Sequence, residues 1–242
     1  MLAATAGCLK LDHRIVLNPD GSGAYEASYA VSEQSIERFA AMKKLRRQMQ
    51  ETRGRKAEER HTDLLYEIAF NPDEPKIRRA LEKYEDSGIK ITELSVESRN
   101  AWRQLELAFS FDSISELSKT HFFEKYGFRI YRNTRGSYVF HKPPIVSEEK
   151  DRIDPLTDKE EIRQITPLLS GFSVSTEVKL PGRVLDSNAT ERNLNTLIWT
   201  YDFDSDPNSI VKIQNRPMTA IFDPRNGSFP EVSTVRNDPE AD

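Results

Sequence analysis

Strict alternation of apolar and polar positions dominates both ends of this chain. Leu9, Leu11, Ile15 and Leu17 alternate with Lys10, Asp12 and Arg14, the period-two pattern of a half-buried strand. His13 falls on the apolar phase of that strand and reads as a core or edge histidine. Asn18-Pro19-Asp20-Gly21-Ser22-Gly23 is a dense turn signal. Tyr25, Ala27, Tyr29 and Val31 then share one face, so residues 9–31 predict a β-hairpin.

The period changes after Ser32, a candidate N-cap. Ile36, Phe39, Met42, Leu45 and Met49 recur at helical spacing and predict a helix to about Glu51. Leu64, Leu65 and Ile68 give a second short helical pattern. A third starts near Asp73, carries Pro75 in its first turn and stops at Gly88. Ile89 to Val96 is strand-like but shifts phase near Glu93, which predicts a bulge. Leu105, Leu107, Phe109 and Phe111 alternate cleanly with polar or small residues. Ser113-Ile114-Ser115-Glu116 is a capping box that opens a helix ending at Gly127. Phe128–Tyr131 and Ser137–His141 predict another hairpin around Asn133-Thr134-Arg135-Gly136.

Residues 142–158 are polar and Pro-rich, as in a linker or long surface loop. A capping box at Thr157-Asp158-Lys159-Glu160 starts a short helix closed by Pro167 and Gly171. The last third is mostly strand: Phe172 to Leu180, Leu197 to Phe203, and shorter runs at Ile210–Ile213 and Met218–Phe222. The expected fold is therefore α+β: an antiparallel sheet of hairpins, with helices inserted between strands and packed on one face. One globular domain over residues 9–223 is expected, with a subdomain split near 143–158 as the alternative. Residues 224–242 carry three prolines and one aromatic, and are expected to form a disordered tail.

Composition sharpens this only in part. Charged residues make up 31% of 242 residues and the net charge is −4, so no global field draws the molecule to nucleic acid. No apolar run approaches the ~18–20 residues that cross a bilayer as a helix. A single cysteine rules out an internal disulfide and a multi-cysteine zinc site.

That cysteine, Cys8, follows Met1-Leu2-Ala3-Ala4-Thr5-Ala6-Gly7. Small residues directly before a Cys resemble the lipobox of bacterial lipoproteins, with Thr5 standing where that family usually has Leu. The resemblance implies cleavage before Cys8 and a diacylglycerol on its sulfur. It also implies a bacterial cell envelope location, membrane-anchored, on the periplasmic or surface side. The first eight residues would then be the remnant of a lipoprotein signal. The Leu9–Tyr29 hairpin resembles the one that follows the lipidated Cys in many envelope lipoproteins. Val178-Lys179-Leu180-Pro181-Gly182-Arg183-Val184-Leu185-Asp186-Ser187-Asn188-Ala189, followed by Asn195-Thr196-Leu197-Ile198-Trp199, resembles the closing hairpin of the LppM-like lipoproteins. That resemblance implies a β-rich envelope domain and supplies no catalytic residues.

The chemistry-bearing motifs are few. G-x-S-x-G, H-E-x-x-H and a Gly-rich phosphate loop do not occur. His13, His61, His121 and His141 are not spaced to chelate a metal from one element. Asp202-Phe203-Asp204-Ser205-Asp206 opens like a calcium loop, but Pro207 and Ile213 stand where Gly and Glu are needed. Neither catalytic residues, a metal nor a cofactor is expected. Between residues 43 and 60 lie eight basic and three acidic residues. Lys43, Lys44, Arg46 and Arg47 in that run are candidates to face anionic headgroups. Phe109, Phe111, Trp199, Tyr201 and Phe203 are the candidates to line an apolar groove between sheet and helices. The expected function is a non-enzymatic lipoprotein acting as a binding or scaffolding module. Its expected partners are the membrane, through the lipid, and an envelope protein or lipid, with no nucleic acid. The alternative is a carrier or sensor of an apolar ligand in that groove. An enzyme would require converging polar side chains with shifted pKa values in one cleft.

Overall fold

The computed structural model describes residues 9–37, 73–120, 123, 127–144, 170–206, 208–224 and 229–230. Cys8, the basic residues at 43–47 and the helical patterns at 38–72 and 157–167 lie outside them.

Alternation yields strands where it was cleanest. β1 (Leu9–Leu17) and β2 (Gly23–Ser32) form the first hairpin, in register from Leu9↔Val31 to Leu17↔Gly23. β3 (Ile89–Arg99) and β4 (Trp102–Phe111) form the next hairpin, and their register shifts between Ile91 and Glu93, where the phase break predicted a bulge. β5 (Arg129–Arg132) and β6 (Tyr138–Lys142) pair across the 133–137 turn. β7 (Phe172–Lys179), β8 (Gly182–Ser187), β9 (Glu191–Asn193), β10 (Thr196–Asp202) and β11 (Met218–Pro224) complete the set.

These strands build two sheets. The larger runs β3-β4-β2-β1-β7-β10-β9, and the smaller β5-β6-β11-β8. Every pairing is antiparallel except β1 with β7. β1 is thus an interior strand of the larger sheet, held by β2 on one side and β7 on the other.

The α+β expectation is corrected here. The described residues form a mainly β structure in which the layer facing the large sheet is a second sheet, not a helical face. The reason lies in two inward rows. Tyr138 and Phe140 of β6, with Met218, Ala220 and Phe222 of β11, are buried and paired across the ladder. They supply the apolar surface that helices were expected to supply. Helices among the described residues are short. Residues 33–37 are helical. The Glu74–Glu82 helix is capped by Asp73, whose Oδ1 accepts from Lys76 N at 3.0 Å, and buries Ile77. The Ile114–Ser118 helix is little more than one turn. Ile210–Ile213, expected as a strand, belongs to a helix, Ser209–Asn215. Its two isoleucines are three residues apart, a spacing that suits one helix face as well as a short apolar run.

A ladder of rings ties the layers together. Tyr25 stacks on Phe109 at 5.1 Å, and Phe109 meets Phe123 edge-on at 6.0 Å. Phe123 meets Phe128, Phe128 stacks on Phe140 at 5.4 Å, and Phe140 stacks on Trp199 at 6.0 Å. Such pairs contribute about 0.5–1.5 kcal/mol each beyond the area they bury. Phe229, beyond β11, is held too. Tyr138 Oη donates to Phe229 O at 2.8 Å and accepts from Phe229 N at 3.2 Å, and the Phe229 side chain is buried. Phe229, within the stretch expected as a tail, is thus packed against β6.

Candidate functional site

The groove residues separate into two groups. Phe109 and Phe111 are fully buried on β4, while Trp199 and Tyr201 stand on β10. Three strands, β2, β1 and β7, lie between β4 and β10. Phe203 is buried just beyond β10 and packs edge-on against Phe172 at 4.6 Å. Trp199 and Tyr201 border an open cavity.

That cavity is a cleft of about 450 Å³ at the end of β10. Trp199 and Tyr201 form its floor. One wall is the Ser209–Asn215 helix and the turn after it, with Ser209, Lys212, Arg216 and Pro217. The other is the β8–β9 turn, with Asn188, Thr190 and Glu191. The cleft exists because β9 has only three residues and pairs with β10 no further than Ile198. Beyond that point no strand pairs with this edge of β10 among the described residues, and Thr200 N donates to Thr190 Oγ1 at 3.1 Å.

Asn188 fixes the cleft walls. Its Oδ1 accepts from Trp199 Nε1 at 2.8 Å and from Thr219 N at 2.9 Å, and its Nδ2 donates to Pro217 O at 2.8 Å. One side chain thus ties the β8–β9 turn to β10 and β11. The aspartates of the calcium-like stretch serve the turn. Asp202 Oδ1 accepts from Asp204 N and Ser205 N, and Asp206 pairs with Lys212 at 2.7 Å. The Lys212 ammonium holds the Asp206 carboxyl below the usual carboxylate range. No group of side chains able to hold a metal is found among the described residues. Burial pushes the Tyr201 phenol up, partly opposed by the nearby Arg216 guanidinium. Arg216 and Glu191 are exposed and make no ion pair among the described residues.

A second polar group lies between the sheets, and sequence reasoning missed most of it. His13 is half-buried on the inner face of β1. Its Nδ1 lies 2.5 Å from Tyr25 Oη, and its ring meets Tyr25 and Tyr29 edge-on at 5.8 and 5.9 Å. Lys142 enters the same layer from β6, where it continues the inward row of Tyr138 and Phe140. Burial, aided by the Lys142 charge, lowers the His13 pKa to about 3. Burial likewise lowers the Lys142 ammonium to about 8 and raises both tyrosine phenols above their usual range. The signal for Lys142 was available in Tyr138-Val139-Phe140-His141-Lys142: continuing the alternation past His141 places the lysine inward.

No family model matches this chain. No curated protein matches it. Among solved structures, the folded domain of the LppM protein of Mycobacterium tuberculosis, determined by NMR, aligns with 94% of this chain and 98% of that one. The identity is 13% and the TM-score 0.40. The functional reading below rests on this chain's own residues and geometry.

Proposed function

We propose that this chain is a non-enzymatic binding module, anchored in a bacterial envelope through Cys8, whose ligand occupies the cleft at the end of β10. The cleft carries the reading. Its volume is that of a small-molecule site, its floor is aromatic and its walls are fixed by hydrogen bonds. Most of its lining residues are polar, with the Arg216 guanidinium on one side and the Glu191 carboxylate on the other, neither in an ion pair among the described residues. That lining favours a polar ligand with one apolar face over an acyl chain.

The anchor rests on the small-residue leader before Cys8. It gains support from β1, which begins at the next residue with Leu9 already buried. Acyl chains on Cys8 would be tied to an interior strand with almost no tether. Two chains, at about 0.8 kcal/mol per buried CH₂, hold a protein on a bilayer effectively permanently. No helix among the described residues is long and apolar enough to cross a membrane.

Two experiments test the two halves. Envelope extracts titrated into isotope-labelled protein should shift the Trp199 indole N–H signal, and Arg216→Ala should weaken that response several-fold. A response that leaves Trp199 untouched removes the cleft from the reading. Cells fed labelled palmitate should label the native chain and not Cys8→Ser. Equal labelling of both contradicts the anchor.

A second reading draws on the lowered pKa of Lys142. A lysine that is partly neutral at pH 7–8 can attack a carbonyl. Borohydride reduction in the presence of a simple aldehyde, followed by peptide mapping, separates an enzyme of that kind from a binding module.

A further inference from the structure

The end of β10 turns two main-chain groups into the cleft. Phe203 N donates to Phe172 O at 3.1 Å, on the β7 side, and Thr200 N to Thr190 Oγ1 at 3.1 Å, on the opposite side. Odd residues of this stretch therefore bond toward β7, and even ones turn their N–H and C=O the other way. β9 takes up the even residues only as far as Ile198. Beyond it, Thr200 turns its carbonyl and Asp202 its N–H toward the cleft that both residues line. Neither group has a hydrogen-bond partner among the described residues. The Asp202 carbonyl is engaged within the turn, where it accepts from Asp206 N at 2.9 Å.

One geometry fills both groups at once. In a parallel ladder a single residue donates its N–H to one residue of the neighbouring strand and accepts from the residue two further on. A residue opposite Tyr201 would donate to Thr200 O and accept from Asp202 N. An antiparallel strand would need Thr200 N or Asp202 O as well, and both are engaged. Thr190 also sets where such a strand begins. Its hydroxyl takes the N–H that a longer β9 would have paired, and so closes the edge on the Ile198 side. The first residue of the incoming strand therefore falls opposite Tyr201. Its amino end lies toward the wall that carries Thr190 and Glu191.

The charges of the cleft agree with that polarity. Asp202 accepts from Asp204 N and Ser205 N, and Asp206 pairs with Lys212. The Glu191 carboxylate makes neither an ion pair nor a hydrogen bond among the described residues. It supplies the counter-charge for an ammonium at the start of an incoming strand. In the parallel pattern the residue opposite Tyr201 sends its side chain to the same sheet face as Tyr201, over the aromatic floor. Resting on the reading of this cleft as the binding site, we infer that its ligand is the amino-terminal end of a peptide, laid as a short parallel strand against the end of β10. The ammonium donates to Thr200 O and Glu191, the first carbonyl accepts from Asp202 N, and the first side chain lies against Tyr201.

The test uses the full isotope-labelled chain and the tripeptide Phe-Ala-Ala, with a free amino terminus, as probe. Phenylpropanoyl-Ala-Ala, which lacks only the amino group, is the control. The tripeptide should move the Asp202 amide proton saturably downfield, and the Thr200 carbonyl carbon with it. The control should bind at least about tenfold more weakly, the loss expected when a charge-assisted hydrogen bond goes. Glu191→Gln, at an exposed position, should weaken the tripeptide about threefold, the scale of an exposed ion pair. Three results overturn the proposal: no saturable shift at Asp202, the control binding as tightly as the tripeptide, or an unchanged affinity in Glu191→Gln. The envelope-extract titration separates this inference from the reading beneath it. An extract that moves the Trp199 indole while the tripeptide leaves Asp202 unmoved overturns the peptide and keeps the cleft. A Trp199 silent to both removes both.

Discussion

Two stretches of the layer between the sheets end in opposite states. At one end, Tyr25, Phe109, Phe123, Phe128 and Phe140 stack ring on ring, and the layer between the sheets is filled. At the other, His13, Tyr29 and Lys142 bring polar atoms into that layer, and among the described residues the Tyr29 hydroxyl and the Lys142 ammonium have no hydrogen-bond partner. Burial alone does not tell structure from site. The first stretch lowers the free energy of the fold with every contact. The second raises it, since a desolvated cation and a neutralised imidazole both oppose folding.

The comparison breaks most sharply by removing a ring. Phe140 is fully buried and touches rings on both sides, one of them on the opposite sheet. Phe140→Ala should cost about 3–5 kcal/mol in urea unfolding, the loss expected when a large core ring leaves a cavity. A loss under 1 kcal/mol would mean that the ladder is not what joins the layers.

Acid should act on the other stretch. His13 binds its proton only near pH 3 when folded and near 6.5 when unfolded. Between those values the unfolded chain holds more protons, so stability falls as pH drops below about 6.5. The effect of this one residue should reach a few kcal/mol by pH 4. His13→Gln should flatten that part of the stability–pH curve, and a curve of unchanged slope would show that His13 is not neutral in the fold.

Lys142→Met should move stability the other way. Removing a poorly compensated ammonium from an apolar layer is expected to stabilise the chain at pH 7 by about 1–3 kcal/mol. The gain should shrink between pH 8 and 10.5. In that window the unfolded lysine still holds a proton that the folded one has lost, so native stability rises with pH. Destabilisation at pH 7 would point to a partner for this lysine.

The smallest effect lies away from both stretches. The two-residue turn between β3 and β4 places Asn100 at φ 54° and Ala101 at φ 61°. A Cβ disfavours that region, and Asn-Gly is the favoured pair in such turns. Ala101→Gly should add about 0.5–1 kcal/mol. It serves as a control that touches neither the ring ladder nor Lys142.

The hairpins were legible because alternation, turn residues and phase breaks agreed. β1–β2, the bulge near Glu93 and β5–β6 all fall where those signals put them. The second sheet was not legible, because its strands come from distant segments. β8 follows β7 after a Pro-Gly and leaves its sheet, and β11 then joins β8 to β6. Nothing in local periodicity says that consecutive strands part company. Gly182 enables this: a Cβ there would sit 1.8 Å from Asp223 O, so only glycine allows β8 to lie this close to β11. In the cleft, alternation placed Trp199 and Tyr201 on one face but could not show that β9 ends early and pairs with β10 no further than Ile198. His13 was visible as a polar residue on an apolar phase. Its meaning depended on Lys142, 129 residues away in sequence.

The most direct test is the ionisation of Lys142 itself, followed by NMR of the methylene carbon next to its ammonium across pH 6–12. The account requires an ammonium held between two sheets without a counter-charge, and predicts titration near pH 8. A midpoint near 10.5, the value of a lysine in water, would contradict it.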